Sequence, residues 1–110
     1  MSINVLRMTS KFFKLLSDVN VLKIILLLKN NEKSFQVIQN NLNITQSHQS
    51  HLMRKLIDSN ILIVRREQRK KIYKIKNKII YRILGEAKGF LTEIQKEKID
   101  ELKDFNLYDI

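Results

Sequence analysis

The 110-residue chain has no cysteine, no proline and no tryptophan, and only two glycines. The missing thiols exclude a disulfide scaffold, a thiolate metal site and a cysteine nucleophile. With glycine confined to Gly85 and Gly89, there is no glycine-rich loop to cradle a phosphate. The longest apolar run, Val19 to Leu28, is half of the about 20 residues that cross a bilayer, and Lys23 interrupts it. The amino terminus, MSINVLRMTSKFF, lacks the basic region, unbroken apolar run and small-residue cleavage site of a secretory signal, so the expected location is the cytoplasm. The composition is 44% hydrophobic and 29% charged, which is enough apolar surface to offset the entropy of ordering. The length suits one domain, residues 1 to 110, around a single core.

Acidic residues are scarce, 11 against 21 Lys plus Arg, and the net charge is +10. Residues 1 to 92 carry 18 basic and 5 acidic side chains, a difference of +13, while residues 93 to 110 carry 3 and 6, a difference of −3. Between Leu62 and Arg82, nine basic residues accompany one acid, Glu67. Such a field attracts a polyanion, and nucleic acid is the commonest one inside a cell. A plainer reading stands beside it: 16 Ile, 15 Lys and 10 Asn are what AT-rich coding produces, and a lysine-rich surface then needs no ligand.

Hydrophobic spacing adds organisation. Val5, Met8, Phe12, Leu15 and Leu16 share one helical face, predicting a helix from about Asn4 to Leu16. Asp18 suits the N-cap of a second helix, Val19 to Lys29, apolar enough to sit at the centre of the core, with Asn30 and Asn31 to end it. Ser34 caps a short third helix that turns Phe35, Ile38 and Leu42 inward, and Asn43 suits a sharp turn. Thr45 caps a fourth helix, Gln46 to Ser59, with Gln49, Leu52, Met53, Leu56 and Ile57 inward and Gln46, Ser47, Ser50, His51, Arg54 and Lys55 outward. Asn60 is the predicted stop. The runs ILIV and KIYKI around REQRK predict a two-stranded hairpin with Arg65 to Lys71 around its tip. From Asn77 a last helix aligns Ile80, Ile83, Leu84, Ala87, Leu91 and Ile94, extended by Ile99 and Leu102, which is more apolar surface than a small domain needs. Gly85 and Gly89 share a face of it, either admitting another helix closely or standing as weak points that cost about 1 kcal/mol each against alanine.

Two short helices across a tight turn, the second polar and basic outside, followed by a basic hairpin, describe a winged helix-turn-helix. The expected fold class is therefore mainly α with a small β-hairpin (α+β): helices 1–4, a two-stranded wing and a long carboxyl-terminal helix. A recognition helix over residues 46–59 fits the major groove of B-form DNA, and a wing over 62–76 lies along phosphates or enters the neighbouring minor groove. The expected contacts are Thr45, Gln46, Ser47, Ser50, His51 and Arg54 on the helix, and Arg65, Arg66, Arg69, Lys70 and Lys71 on the hairpin. Gln46 can pair bidentately with adenine, and Arg54 can reach guanine or a phosphate.

The segments FFKLLSDVNVLKIILLL, FQVIQNNLNITQSHQSHLMRKLIDSNIL and VRREQRKKIYKI resemble, in order and spacing, those of ArsR-type winged-helix transcriptional regulators over about Phe12 to Leu84. The stretch ITQSHQSHLMRKL looks like that family's recognition helix, with Gln46, Ser47, Ser50 and His51 at its DNA-facing positions, and Leu16-Ser17-Asp18 resembles the start of its second helix. The resemblance implies a symmetric homodimer built from the first and last helices. Val5, Phe12, Ile80, Leu84, Ala87, Leu91 and Ile94 would then lie at the interface, and residues of about 79–104 would form the dimerisation helix. Where many members place cysteine ligands, this chain has Ser34 and Gln36, and its last helix holds no histidine, so no metal is expected at the family's usual sites. Val19 replaces a frequent proline, and Gln68 replaces a frequent glycine at the wing tip, which predicts a looser or longer hairpin turn.

His48 and His51 are the only histidines, and nothing completes a metal site around them. Serines beside histidine in SHQSH lack the third orienting group of a nucleophilic site, so no enzyme and no cofactor are expected. The resulting expectation is a cytoplasmic, homodimeric, sequence-specific double-stranded DNA-binding regulator, most simply a repressor, with no membrane partner. The alternatives are an architectural DNA-binding protein without sequence preference and a protein-interaction adaptor that keeps the fold.

Overall fold

The computed structural model describes residues 1–108, with side chains described for 1–103. In chain order it forms α1 (Ile3–Leu16), α2 (Val19–Leu27), β1 (Lys33–Ser34), α3 (Phe35–Asn40), α4 (Gln46–Asp58), β2 (Leu62–Glu67), β3 (Lys70–Ile75) and α5 (Ile79–Tyr108). The chain divides between Asn77 and Lys78 into two compact units.

In the first unit every helix starts on a side-chain oxygen that accepts from an otherwise orphaned backbone N–H: Ser2 from Val5, Asp18 from Asn20, Ser34 from Val37 and Thr45 from His48. The core gathers Val21, Ile24, Ile25 and Leu28 with Leu16, Ile38, Leu42, Leu52, Met53, Leu56, Ile61 and Leu62. The second helix is central, as its composition implied, yet Val19 and Leu26 remain exposed because one cylinder cannot bury its whole circumference. It also ends at Leu28, before Asn30 and Asn31, and the freed residues carry the chain to β1. The predicted face of α1 is graded: Leu16 is buried, Phe12 and Leu15 are half-buried, and Val5 and Met8 are exposed. Asn60 does stop α4. Its φ of 61° is left-handed, its N–H donates to the Ile57 carbonyl at 3.0 Å, and the Ile61 N–H reaches back to Leu56 at 3.0 Å, closing a Schellman motif.

The sheet has three strands, not the two expected, in the antiparallel order β1-β3-β2. β1 is two residues long, too short to display an alternating pattern, and pairs Lys33 with Tyr73 and Ser34 with Ile72. The hairpin register runs from Leu62 opposite Ile75 to Glu67 opposite Lys70. Only Gln68 and Arg69 form the turn, at φ 49° and 69°, so the expectation of a looser or longer loop is corrected to a tight two-residue connection. Two consecutive positive φ angles match the right-handed twist of the strands, a demand that Asn-Gly meets without steric cost and Gln-Arg does not.

Arg65 is paired with two acids. Its Nη1 and Nη2 fork onto the two carboxylate oxygens of Glu32, the Nη2 contact being 2.7 Å, and Nη2 also donates to Glu67 Oε2 at 2.6 Å. Glu32 immediately precedes β1, so the contact links its connection to β2 across β3. Hydrogen bonding from Arg65 holds the Glu32 carboxyl below its ordinary value, and the charges of Arg65 and Lys74 act in the same direction.

The second unit is α5. Ile79, Phe90, Leu91, Ile99 and Leu102 are exposed on it. A methyl group built at Gly85 or Gly89 would meet no described atom within 4 Å.

Replacing Gln68-Arg69 by Asn-Gly should stabilise the protein by about 1 kcal/mol, because it relieves two left-handed residues that carry a Cβ, and a higher urea midpoint at unchanged slope would register it. A depressed carboxylate pKa stabilises fully above the ordinary value of 4.5 and is lost as pH falls through the lowered one. Glu32→Gln should therefore make stability less steeply dependent on pH below about 4.5, as read from urea midpoints across an acid series.

Candidate nucleic-acid interface

The two helices of the helix-turn-helix are set by side-chain amides. Gln39 Nε2 donates to the Ile44 carbonyl at 2.5 Å, closing the turn between α3 and α4. Gln49, fully buried on the inward stripe of α4, donates from Nε2 to the Phe35 carbonyl at 3.0 Å, tying α4 to the first residue of α3. Phe35 in turn meets Tyr73 of β3, ring centroids 6.4 Å apart and tilted by 49°. Burial pushes the Tyr73 phenol pKa up, so the ring stays neutral.

This framework opens a groove of about 1090 Å3 between α4 and the hairpin. Gln46, Ser47, Ser50 and Arg54 line one wall, Arg66, Arg69, Lys70 and Lys71 the other, and Phe35, Met53, Ile57 and Tyr73 lie between. Spacings of one, four and eight residues keep the four α4 side chains on the exposed face, opposite Gln49, Leu52, Met53 and Leu56. On the hairpin the two-residue period places Arg66 and its cross-strand partner Lys71 on the face that carries Val64 and Tyr73. Five cations thus border the groove against one carboxylate, Asp58. Arg66 and Lys71 stand directly opposite each other on this face, a like-charge juxtaposition that weakens a hairpin.

Of the eleven expected contacts, eight line this groove; Thr45, His51 and Arg65 do not. Thr45 is exposed but spends its hydroxyl on capping α4, accepting from the His48 N–H at 3.1 Å. His51 is exposed on α4 outside the lining set. Arg65 lies on the opposite sheet face, across from Ile72, and is held there by Glu32 and Glu67. Sequence reasoning missed Asp58 and the floor formed by Phe35 and Tyr73; the alternation in KIYKI carried the signal for Tyr73. Among the described residues no group of three or more His, Cys, Asp and Glu could hold a metal ion. Of the residues expected at a dimer interface, Val5, Ala87 and Leu91 are exposed, Phe12, Leu84 and Ile94 are half-buried, and Ile80 is already buried within the single chain.

No protein-family model matches the chain, and no curated protein matches it in sequence. Solved structures do. Rv0081 of M. tuberculosis superposes with a TM-score of 0.81 at 21% identity, over 89% of this chain and 99% of its own. A homodimeric winged helix-turn-helix DNA-binding domain from Mycobacterium bovis, a possible ArsR-family transcriptional regulator, gives 0.74 at 19% identity over 88% and 93%. HlyU from Vibrio cholerae gives 0.69 at 21% identity over 79% and 97%. The likeness read from the sequence thus extends to three-dimensional structure at the level of the fold, and the chain is built as a winged helix-turn-helix of the architecture seen in solved ArsR-type proteins.

Proposed function

We propose that the protein is a sequence-specific double-stranded DNA-binding transcriptional regulator, acting as a homodimer and most simply as a repressor. One observation carries the reading: the polar face of α4 and the cationic hairpin border the same groove, so both can engage one duplex. α4 enters the major groove, where Gln46, Ser47 and Ser50 approach base edges and Arg54 reaches guanine or a phosphate. Arg66, Arg69, Lys70 and Lys71 lie along the flanking backbone and at the neighbouring minor groove. The role is binding rather than catalysis and needs no cofactor or metal. No described helix is long and apolar enough to cross a membrane, and the proposed location is the cytoplasm, where the DNA is.

Dimerisation is supported by apolar side chains left exposed on α1 (Val5, Leu6, Met8, Phe13) and on α5 (Phe90, Leu91, Ile99, Leu102). The similar M. bovis domain is homodimeric. Two copies would read an inverted repeat with half-sites about 34–36 Å apart.

With about eight phosphates neutralised per dimer, log affinity should fall against log salt with a slope near −7, and a slope near zero in a fluorescence-anisotropy titration would sink the mechanism. Gln46→Ala or Ser50→Ala should flatten sequence preference in a selection from random duplexes, whereas Arg66→Ala or Lys71→Ala should weaken every duplex and reduce the slope by about one per lost contact. Equal affinity for all duplexes would instead identify an architectural protein, and no binding at low salt an adaptor. Leu91→Glu, at an exposed position, should shift sedimentation from dimer to monomer and cost DNA affinity about 100-fold or more through lost bivalency.

A further inference from the structure

We infer that Glu32 and Glu67 withhold Arg65 from nucleic acid and thereby confine the wing's usable positive charge to the groove face. The inference rests on the DNA-binding reading and deepens it.

Carboxylates are rare in residues 1–77, being Asp18, Glu32, Asp58 and Glu67 alone. Asp18 caps α2 and Asp58 borders the groove, and both of the others converge on a single guanidinium. Arg66, Arg69, Lys70 and Lys71 take part in neither ion pair. Stability does not account for spending two acids on one exposed arginine, since ion pairs at the surface add little to folding. Their geometry does limit what Arg65 can bind. The planar fork that would receive a phosphate already holds the Glu32 carboxylate through both terminal nitrogens, and Nη2 is shared with Glu67.

The position of the cluster determines which complexes it affects. The sheet face of Arg65 also carries Lys74 by strand alternation, whereas Lys70, at the end of β3 beside the turn, lines the groove, so without the acids that face would present two cations. With Glu32 and Glu67 the sum there is zero, while Arg66 and Lys71 on the other face stay uncompensated. A duplex held by the groove face does not meet Arg65. A duplex approaching the opposite face would, and that encounter has no recognition helix in it. Masking Arg65 therefore suppresses sequence-independent docking without touching the specific complex.

The test measures affinity for a duplex selected from a random pool and for unselected duplex across a salt series, using the full-length chain. In the Glu32→Gln, Glu67→Gln double variant the slope on unselected duplex should steepen by about 0.9 per protomer, an eightfold gain at 0.1 M salt against a 1 M reference, with the selected duplex unchanged. Adding Arg65→Gln to that variant should return the salt slope on unselected duplex to the wild-type value, because the slope counts the phosphates neutralised. Arg65→Gln alone should leave the selected duplex unaffected, which tests the idea even if the double variant folds poorly. Unchanged unselected affinity in a folded double variant, or an Arg65→Gln loss on the selected duplex equal to that of Arg66→Ala, would overturn the inference. A wild-type chain that binds no duplex would overturn the DNA-binding reading itself.

Discussion

The bond from Gln49 Nε2 to the Phe35 carbonyl is the constraint on which the arrangement of the interface depends. It joins α4 to the start of α3, and the Phe35 ring then abuts Tyr73 in β3, whose strand carries Lys71 and faces Arg66 across the hairpin. Two contacts thus relate α4 to the hairpin. The net stabilisation from a hydrogen bond is modest, about 1 kcal/mol, but in a dry core its directionality fixes the geometry. Gln49 Oε1 is buried without a hydrogen-bond partner. A leucine of similar volume would avoid that cost and lose the orientation, which is the sense in which the core here serves the surface.

Around the groove the chain breaks local rules that it obeys elsewhere. Four helix starts are capped and the α4 terminus forms a regular left-handed stop, whereas the wing places Arg66 opposite Lys71 and turns on two residues poorly suited to positive φ. Each departure lowers stability, and each keeps a cation on the groove wall. On the opposite sheet face the charge is compensated by Glu32 and Glu67. Two sides of one small sheet therefore differ in net field although their sequences interleave residue by residue, and only the pleat separates Arg65 from Arg66.

Much of this was legible in the chain because period and capping are local properties. The inward stripe of α4, the caps Asp18, Ser34 and Thr45 and the stop at Asn60 were read correctly from spacing and side-chain chemistry. What escaped required partners distant in sequence. β1 exists because Tyr73 and Ile72 offer it an edge, and two residues contain no period to detect. The neutralisation of Arg65 depends on Glu32, 33 positions away. The turn at Gln68-Arg69 was misjudged because propensity favours glycine there, and the register of six paired positions overrode propensity.

On the proposed reading, the exposed apolar side chains of α1 and α5 connect the geometry to affinity. One groove offers four wing cations and one short helix, and an interface of that size binds nucleic acid weakly at physiological salt. Joining two such grooves makes the second contact intramolecular, at an effective concentration set by the body that joins them rather than by bulk protein. In the proposed dimer, Phe90, Leu91, Ile99 and Leu102 on α5, and Val5, Met8 and Phe13 on α1, would be the surfaces whose burial turns two weak, salt-sensitive contacts into one selective one. Selectivity for spacing would follow in such a dimer: two half-sites off its repeat could not both be filled, and the bivalent gain would be lost.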